Sequence, residues 1–201
     1  MTDKEFFIQM HSIAYGYYDR INHRTYAGTD LDRINNKTLL TNCNVLTPKE
    51  VWKYKVGTCF DQSLLEVATL PHCKDVQTVQ MFFFCYYTEY YANHQLYGNM
   101  STCHSGVVYN KENKWFYFEH AWGNKRGIYG PYMTSEEALE IANNFGKEDR
   151  QDKKAKYEFL PNCDYTPLLK LDTIPYLTFI EVITRKSKVN YSETIKHWLN
   201  N

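Results

Sequence analysis

One cysteine, Cys59, occupies a position in which a thiol becomes a better nucleophile. Gly57 breaks the backbone before it, Thr58 is a favourable N-cap, and Asp61 completes a capping-box pattern. The next apolar residues recur at helical spacing and are Leu64, Leu65 and Ala68. We therefore expect a tight turn followed by a helix with Cys59 in its first turn, where the positive end of the helix dipole favours a thiolate.

The carboxylate of Asp61 in the same turn acts against a second negative charge, so a reactive Cys59 requires a cationic partner. Histidine is the usual partner, either as a general base or as half of an ion pair. The alternative interpretation is a buried structural cysteine at the start of a core helix, because free cysteines are among the residues most often buried. Residues further along the chain bear on this choice.

A histidine and an acid lie on two strands that the sequence predicts to form an antiparallel hairpin. These strands are predicted over 104–109 and 115–121. Neighbouring residues across such a pair lie about 5 Å apart at Cβ, so Glu119 could bond and orient the imidazole of His104. The predicted arrangement is a triad of Cys59, His104 and Glu119.

These residues resemble the transglutaminase-like branch of the papain-like cysteine protease superfamily. The resemblance rests on Gly57-x-Cys59 opening a helix, on His104-Ser-Gly-Val-Val-Tyr, and on Lys114-Trp-Phe-Tyr-Phe-Glu119, and it spans residues 48–133. It implies an α+β fold with a papain/transglutaminase-like core, in which the nucleophile helix packs on an antiparallel β-sheet. It also implies that Cys59, His104 and Glu119 are the catalytic residues, with Glu119 standing where the family usually has Asp.

The sequence leaves alternatives for the base, for the second oxyanion donor and for the segment after the acid. His120 competes with His104 as the base, but in a strand His120 faces away from its neighbour Glu119, so we favour His104. The backbone N–H of Cys59 would be one oxyanion donor. The candidates for the second donor are Trp52, Asn42 and Asn44. The segment 122–129 follows the acid and either lines a substrate cleft or forms an ordinary surface loop.

Three classes of function are compatible with these residues. The first is a cysteine acyl-transfer enzyme acting on a peptide or other amide-bearing substrate, as a peptidase, amidase or amine acyltransferase. Water or an amine would resolve its acyl-enzyme, and the triad does not decide between them. The alternative is a catalytically inactive binding or interaction module on the same scaffold, which Glu119 in place of Asp favours. The third is a metal protein using Cys59, His104 and Cys103, although Cys103-His104 lacks zinc-finger spacing.

The composition fits one globular domain over residues 1–201, since the 201-residue chain is 43% hydrophobic. Lys and Arg together number 23, as do Asp and Glu, so no basic field exists to hold nucleic acid or an anionic membrane. The longest apolar run, Met81–Tyr87, is too short to span a bilayer, and the polar N-terminus shows no secretory signature. We therefore expect a cytoplasmic protein with reduced thiols. Scattered glycines provide no phosphate-binding loop, so no cofactor is predicted.

Local patterns predict the elements around the site. Helices are predicted over roughly residues 1–20 and over 47–54, 134–142 and 192–199. Besides the hairpin, strands are predicted over 76–87 and 176–184. The polar or glycine-rich segments 28–41, 89–100 and 123–132 are predicted as loops, 111–114 as a turn, and 147–156 as a charged, solvated segment.

Overall fold

The computed structural model describes residues 1–34, 39, 42–149, 155–160, 174–192 and 196, with the backbone alone at 100–102 and 174–177. The helices in these ranges are α1 (Asp3–Met10), α2 (Pro48–Tyr54), α3 (Cys59–Thr69), α4 (Ser135–Asp149) and α5 (Tyr176–Thr184). The strands are β1 (Ala14–Asp19), β2 (Arg24–Ala27), β3 (Asn44–Val45), β4 (Val56–Gly57), β5 (Val76–Ala92), β6 (Gln95–Lys111), β7 (Lys114–Glu119), β8 (Gly127–Tyr132), β9 (Lys156–Leu160) and β10 (Ile174–Pro175). The predicted α+β class is confirmed.

The main sheet contains five antiparallel strands among the described residues, in the order β8-β7-β6-β5-β9. β5 and β6 form a long hairpin that turns at Asn93 and His94, both with positive φ. β6 and β7 form the next hairpin, in which Val107 pairs with Phe118. The strand predicted over 76–87 and the hairpin predicted to carry His104 and Glu119 are thus confirmed.

Two predicted loops are strands instead. The segment 89–100 continues both β5 and β6, because its tyrosines pair across the hairpin; the rings of Tyr90 and Tyr97 stack with centroids 5.3 Å apart. The segment 123–132 contains β8, which pairs with β7. Its proline, Pro131, is tolerated because β8 is an edge strand of the sheet, where not every N–H is needed for pairing.

Two predicted elements are of the wrong type. The first helix ends at Met10, and the tyrosine-rich segment after it is strand β1. Gly16 allows β1 to approach β2 closely, since a Cβ at Gly16 would lie 2.1 Å from the carbonyl oxygen of Tyr26. The segment 176–184 is helix α5 rather than a strand. Its buried residues, which recur at helical spacing, are Phe179, Ile180 and Ile183.

Helices cover both faces of the main sheet. Helix α3 packs on one face, in a core that includes Leu64, Leu65, Phe83, Val107 and Phe118. Helix α4 packs on the opposite face, in a core that includes Phe82, Phe84, Val108, Tyr117, Ala138 and Ala142. Consecutive residues of β5 are therefore buried on alternate faces, as the continuous apolar run of that strand indicates.

A second, smaller sheet brings the N-terminal segment to the nucleophile turn. Its strand order is β2-β1-β4. β1 runs antiparallel to β2 and parallel to β4, with Tyr15 opposite Gly57. Residues near the N-terminus therefore lie beside the turn that precedes Cys59.

Some predicted segments lie wholly or partly outside the described residues. These are the helix over 192–199 and parts of the segments 28–41 and 147–156. Within the described part, Gly28–Arg33 forms a short 3-10 helix and α4 continues through Asp149. None of the described helices is long and apolar enough to cross a membrane.

Candidate active site

The turn before Cys59 is built as the sequence predicts. Cys59 is the first residue of α3, and Thr58 caps the helix in a reciprocal capping box with Asp61. The Asp61 carboxylate accepts the N–H of Thr58 at 2.7 Å, its hydroxyl at 2.9 Å, and the N–H of Leu46 at 2.6 Å. These donors compensate the charge of Asp61 within its own turn. Gly57 is required for space, since a Cβ there would lie 2.9 Å from the Cβ of Asp61.

His104 and Glu119 are in direct contact, with His104 Nε2 at 2.7 Å from Glu119 Oε2. Because Phe118 pairs with Val107, Glu119 lies diagonally across from His104 rather than directly opposite it. Diagonal neighbours across an antiparallel pair are about 7–8 Å apart, within reach of long side chains only. The additional methylene of Glu relative to Asp spans this diagonal.

Two further donors hold the Glu119 carboxylate. The hydroxyl of Tyr117 donates to Oε2, and the backbone N–H of Trp122 donates to Oε1 at 2.7 Å. Burial of Glu119 opposes its ionisation, but the charge of His104 and these hydrogen bonds outweigh burial and lower the pKa of Glu119. The sequence prediction did not include Tyr117. The sequence does contain an indication of this contact: Tyr117 and Glu119 are two positions apart, which places them on the same face of strand β7.

The side chain of Cys59 lies within hydrogen-bonding reach of the His104 imidazole. Since Nε2 is engaged by Glu119, the ring nitrogen left for the thiol is Nδ1. Burial disfavours the imidazolium, but the charge of Glu119 and hydrogen bonds to Cys59 and Glu119 outweigh it and raise the pKa of His104 to about 10. All three predicted site residues are therefore brought together, with the charged form of the imidazole favoured.

Four further cysteines lie among the described residues. All of them carry free thiols. Burial raises the pKa of each of these thiols, at Cys43, Cys73, Cys85 and Cys103. A thiol that stays protonated is a poor nucleophile. We therefore expect none of these four to compete with Cys59 for an electrophile.

Tyr15 is a candidate site residue that sequence reasoning missed. The parallel pairing of β1 with β4 sets it opposite Gly57, next to the turn of the nucleophile. Negative charge on Cys59 and burial raise the pKa of Tyr15, so its hydroxyl remains protonated and able to donate. No local pattern indicates this position, because β1 and β4 are distant in sequence.

The three sequence candidates for the second oxyanion donor have structural contacts. The amide of Asn42 donates to Asp19 at 3.2 Å. The indole of Trp52 packs edge-on against Phe6, with ring centroids 6.4 Å apart. Asn44 lies in β3, which pairs with β10. Tyr15 is better placed than these residues for a role beside Cys59.

His120 supports the nucleophile turn through Gln62. Gln62 Nε2 donates to the carbonyl of Gly57 at 2.8 Å, so its Oε1 is the acceptor that faces His120 Nδ1 at 2.7 Å. His120 therefore carries its proton on Nδ1. Burial, followed by the charges of Arg126 and His11, lowers the pKa of His120 to about 4. His120 is thus a neutral hydrogen-bond donor, and the sequence preference for His104 as the base agrees with this geometry.

A second carboxyl, Glu66, is buried near the site. It lies on α3 two turns after Cys59 and is 2% exposed. Burial, together with the charge of Glu119, raises the pKa of Glu66 well above its usual range. A neutral Glu66 leaves Glu119 as the negatively charged partner of His104.

A cleft of about 520 Å³ opens beside His104. Its lining residues are Tyr15, Phe84, Tyr86, Cys103, His104, Ala121, Trp122, Gly123, Arg126 and Asp149. The ring of Trp122 lies 4.8 Å from that of His104, centroid to centroid. The segment after the acid therefore contributes to a cleft, which was one of its two predicted roles.

Among the described residues, no group of three His, Cys, Asp or Glu side chains is arranged to hold a metal ion. Cys59, His104 and Cys103 are neighbours, but His104 commits Nε2 to Glu119.

The chain was also compared with protein-family models, with curated proteins and with solved structures. None of these comparisons returned a match.

Proposed function

We propose that the chain is a cysteine acyl-transfer enzyme with a papain/transglutaminase-like core, acting as a peptidase, amidase or amine acyltransferase. The observation that carries this proposal is the cluster of Cys59, His104 and Glu119. It combines a thiol at a helix N-terminus, an imidazole within its reach, and a buried carboxylate 2.7 Å from that imidazole. This is the set of groups that activates and recycles a thiol nucleophile. The packing of α3 on an antiparallel sheet also supports it.

In this mechanism the Cys59 thiolate attacks the carbonyl carbon, a C–S bond forms, and the carbonyl π electrons move to oxygen. The backbone N–H of Cys59 and the hydroxyl of Tyr15 donate to that oxyanion. As the C–N bond breaks, His104 protonates the leaving amine, which leaves a thioester and a neutral imidazole. Water or an amine then attacks the thioester, His104 takes its proton, and Cys59 departs as the thiolate. Glu119 keeps the imidazole oriented throughout.

Acetylation by p-nitrophenyl acetate tests the proposal without knowledge of the natural substrate. We expect release of p-nitrophenolate and an acetyl group on Cys59, located by mass spectrometry. Cys59→Ala should abolish this acetylation, and His104→Ala should slow it by about 100-fold or more. Cys103→Ala is the matched control, because it removes a neighbouring thiol whose pKa burial raises. Equal nitrophenolate release by wild type and Cys59→Ala would count against the proposal.

A second candidate function is a binding module without catalysis, and the burial of the thiol favours it. Cys59 is 3% exposed, while Tyr15, Cys103 and His104 line the cleft next to it. In an enzyme, these side chains would therefore have to move aside for a substrate carbonyl to reach Cys59. A folded wild-type protein in which no cysteine is acetylated would favour the binding module.

A further inference from the structure

Arg126 places a fixed positive charge in the cleft beside the proposed nucleophile. It lines the cleft together with His104 and Trp122. Its Nε donates to the backbone carbonyl of His120 at 2.7 Å, which fixes the base of the guanidinium next to the end of β7. The two Nη groups are left for another acceptor. A guanidinium held in this way loses less conformational entropy when it binds a ligand.

The charge of Arg126 is not neutralised by an ion pair within the described part of the chain. The neighbouring Lys125 contrasts with it, because Lys125 Nζ lies 2.7 Å from Glu148 and packs over the ring of Phe145. Asp149 also lines the cleft; both it and Arg126 are exposed residues, and the two do not form an ion pair. An uncompensated guanidinium beside aromatic walls is suited to a carboxylate, which it can bind through two parallel hydrogen bonds.

We infer that the cleft selects acyl donors that carry a carboxylate close to the reacting carbonyl, with Arg126 as the residue that anchors it. This inference rests on the proposed function, because the donor it describes is the substrate of Cys59. The aromatic side chains of the cleft would enclose the part of the donor that joins its reacting carbonyl to its carboxylate. These side chains are Tyr15, Phe84, Tyr86 and Trp122.

Two alkylating reagents test this inference. Iodoacetate and iodoacetamide alkylate a thiolate through the same step: the C–S bond forms, the C–I bond breaks, and iodide leaves. They differ only in carrying a carboxylate or a neutral amide. The measured quantity is the rate of alkylation of Cys59 by iodoacetate divided by its rate with iodoacetamide. The ratio cancels changes in the intrinsic reactivity of the thiolate, and His104, whose charge also attracts iodoacetate, is the same in all the proteins compared.

We expect Arg126→Gln to lower this ratio about fivefold, because the variant removes the charge and keeps an N–H donor for the His120 carbonyl. Arg126→Lys should keep the ratio within about twofold, since it retains the charge. Lys125→Gln is the matched control and should leave the ratio unchanged. An unchanged ratio in Arg126→Gln, with Cys59 still rapidly alkylated, would overturn the inference and leave the proposed function intact. Slow alkylation of wild-type Cys59 by both reagents would overturn both.

Discussion

The contact between His104 and Glu119 should contribute strongly to stability at neutral pH, and Glu119→Gln tests this. The variant keeps the shape of the side chain and removes its charge, which leaves the imidazole of His104 buried without its carboxylate partner. Breaking a buried ion pair from one side costs about 3–5 kcal/mol. The pKa of His104, about 10 against an ordinary 6.5, corresponds to a preference of about 5 kcal/mol for the charged imidazole. The His104 side chain is only 12% exposed, so solvent screening is limited.

We therefore expect Glu119→Gln to lower the free energy of unfolding at neutral pH by about 3–5 kcal/mol, measured by urea denaturation. Tyr117→Phe removes one hydrogen bond from the same carboxylate and should cost about 1 kcal/mol. Glu148→Gln breaks the surface pair with Lys125, in which Glu148 is 62% exposed, and should change stability by less than about 0.5 kcal/mol. A loss below about 1 kcal/mol in Glu119→Gln would refute the reasoning.

The same contact predicts a dependence on alkaline pH. The pKa of His104 is raised on folding, so its contribution to stability is fully present below 6.5 and is lost as the pH rises through about 10. Wild type should lose stability over that interval, and Glu119→Gln should show a weaker loss when the two are compared by urea denaturation across the range. Parallel pH profiles for the two proteins would contradict the assigned ion pair.

Three further predictions concern the supporting residues. The pKa of His120 is lowered on folding to about 4, so its contribution to stability is fully present above pH 6.5 and is lost as the pH falls towards 4. Over this interval the free energy of unfolding of wild type, measured by urea denaturation, should fall by about 3 kcal/mol more than that of His120→Phe. Gln62→Leu removes the bridge from His120 to Gly57; we expect a loss of about 1–3 kcal/mol, by urea denaturation, and slower iodoacetamide alkylation of Cys59. Tyr15→Phe should slow acetylation of Cys59 by p-nitrophenyl acetate about 100-fold while leaving its alkylation by iodoacetamide within about twofold, because alkylation forms no oxyanion. Equal slowing of both reactions would mean that Tyr15 only supports the fold.

The features that the sequence predicted correctly are local ones. The capping box of Thr58 and Asp61 depends on residues three positions apart, and the structure contains it. The contact between His104 and Glu119 was predictable because a short turn joins their strands. Such features need little tertiary information, so spacing along the chain was sufficient to find them.

The features that were missed depend on contacts between distant segments. Tyr15 reaches the site only because β1 pairs with β4, and a continuous helix over residues 1–20 would have placed it elsewhere. The bridge between Gln62 and His120 joins α3 to the end of β7, which no local pattern reveals. The segment 176–184 is rich in β-branched and aromatic residues, yet packing of one of its faces into the core makes it a helix.

The most direct test of the proposed triad is the rate of iodoacetamide alkylation, followed cysteine by cysteine with mass spectrometry as a function of pH, in wild type and His104→Ala. We predict that Cys59 is alkylated fastest of the described cysteines in mildly acidic solution, because an adjacent imidazolium stabilises its thiolate. We further predict that His104→Ala removes this advantage. Alkylation of Cys59 at the same rate in wild type and His104→Ala, over the whole pH range, would contradict the triad.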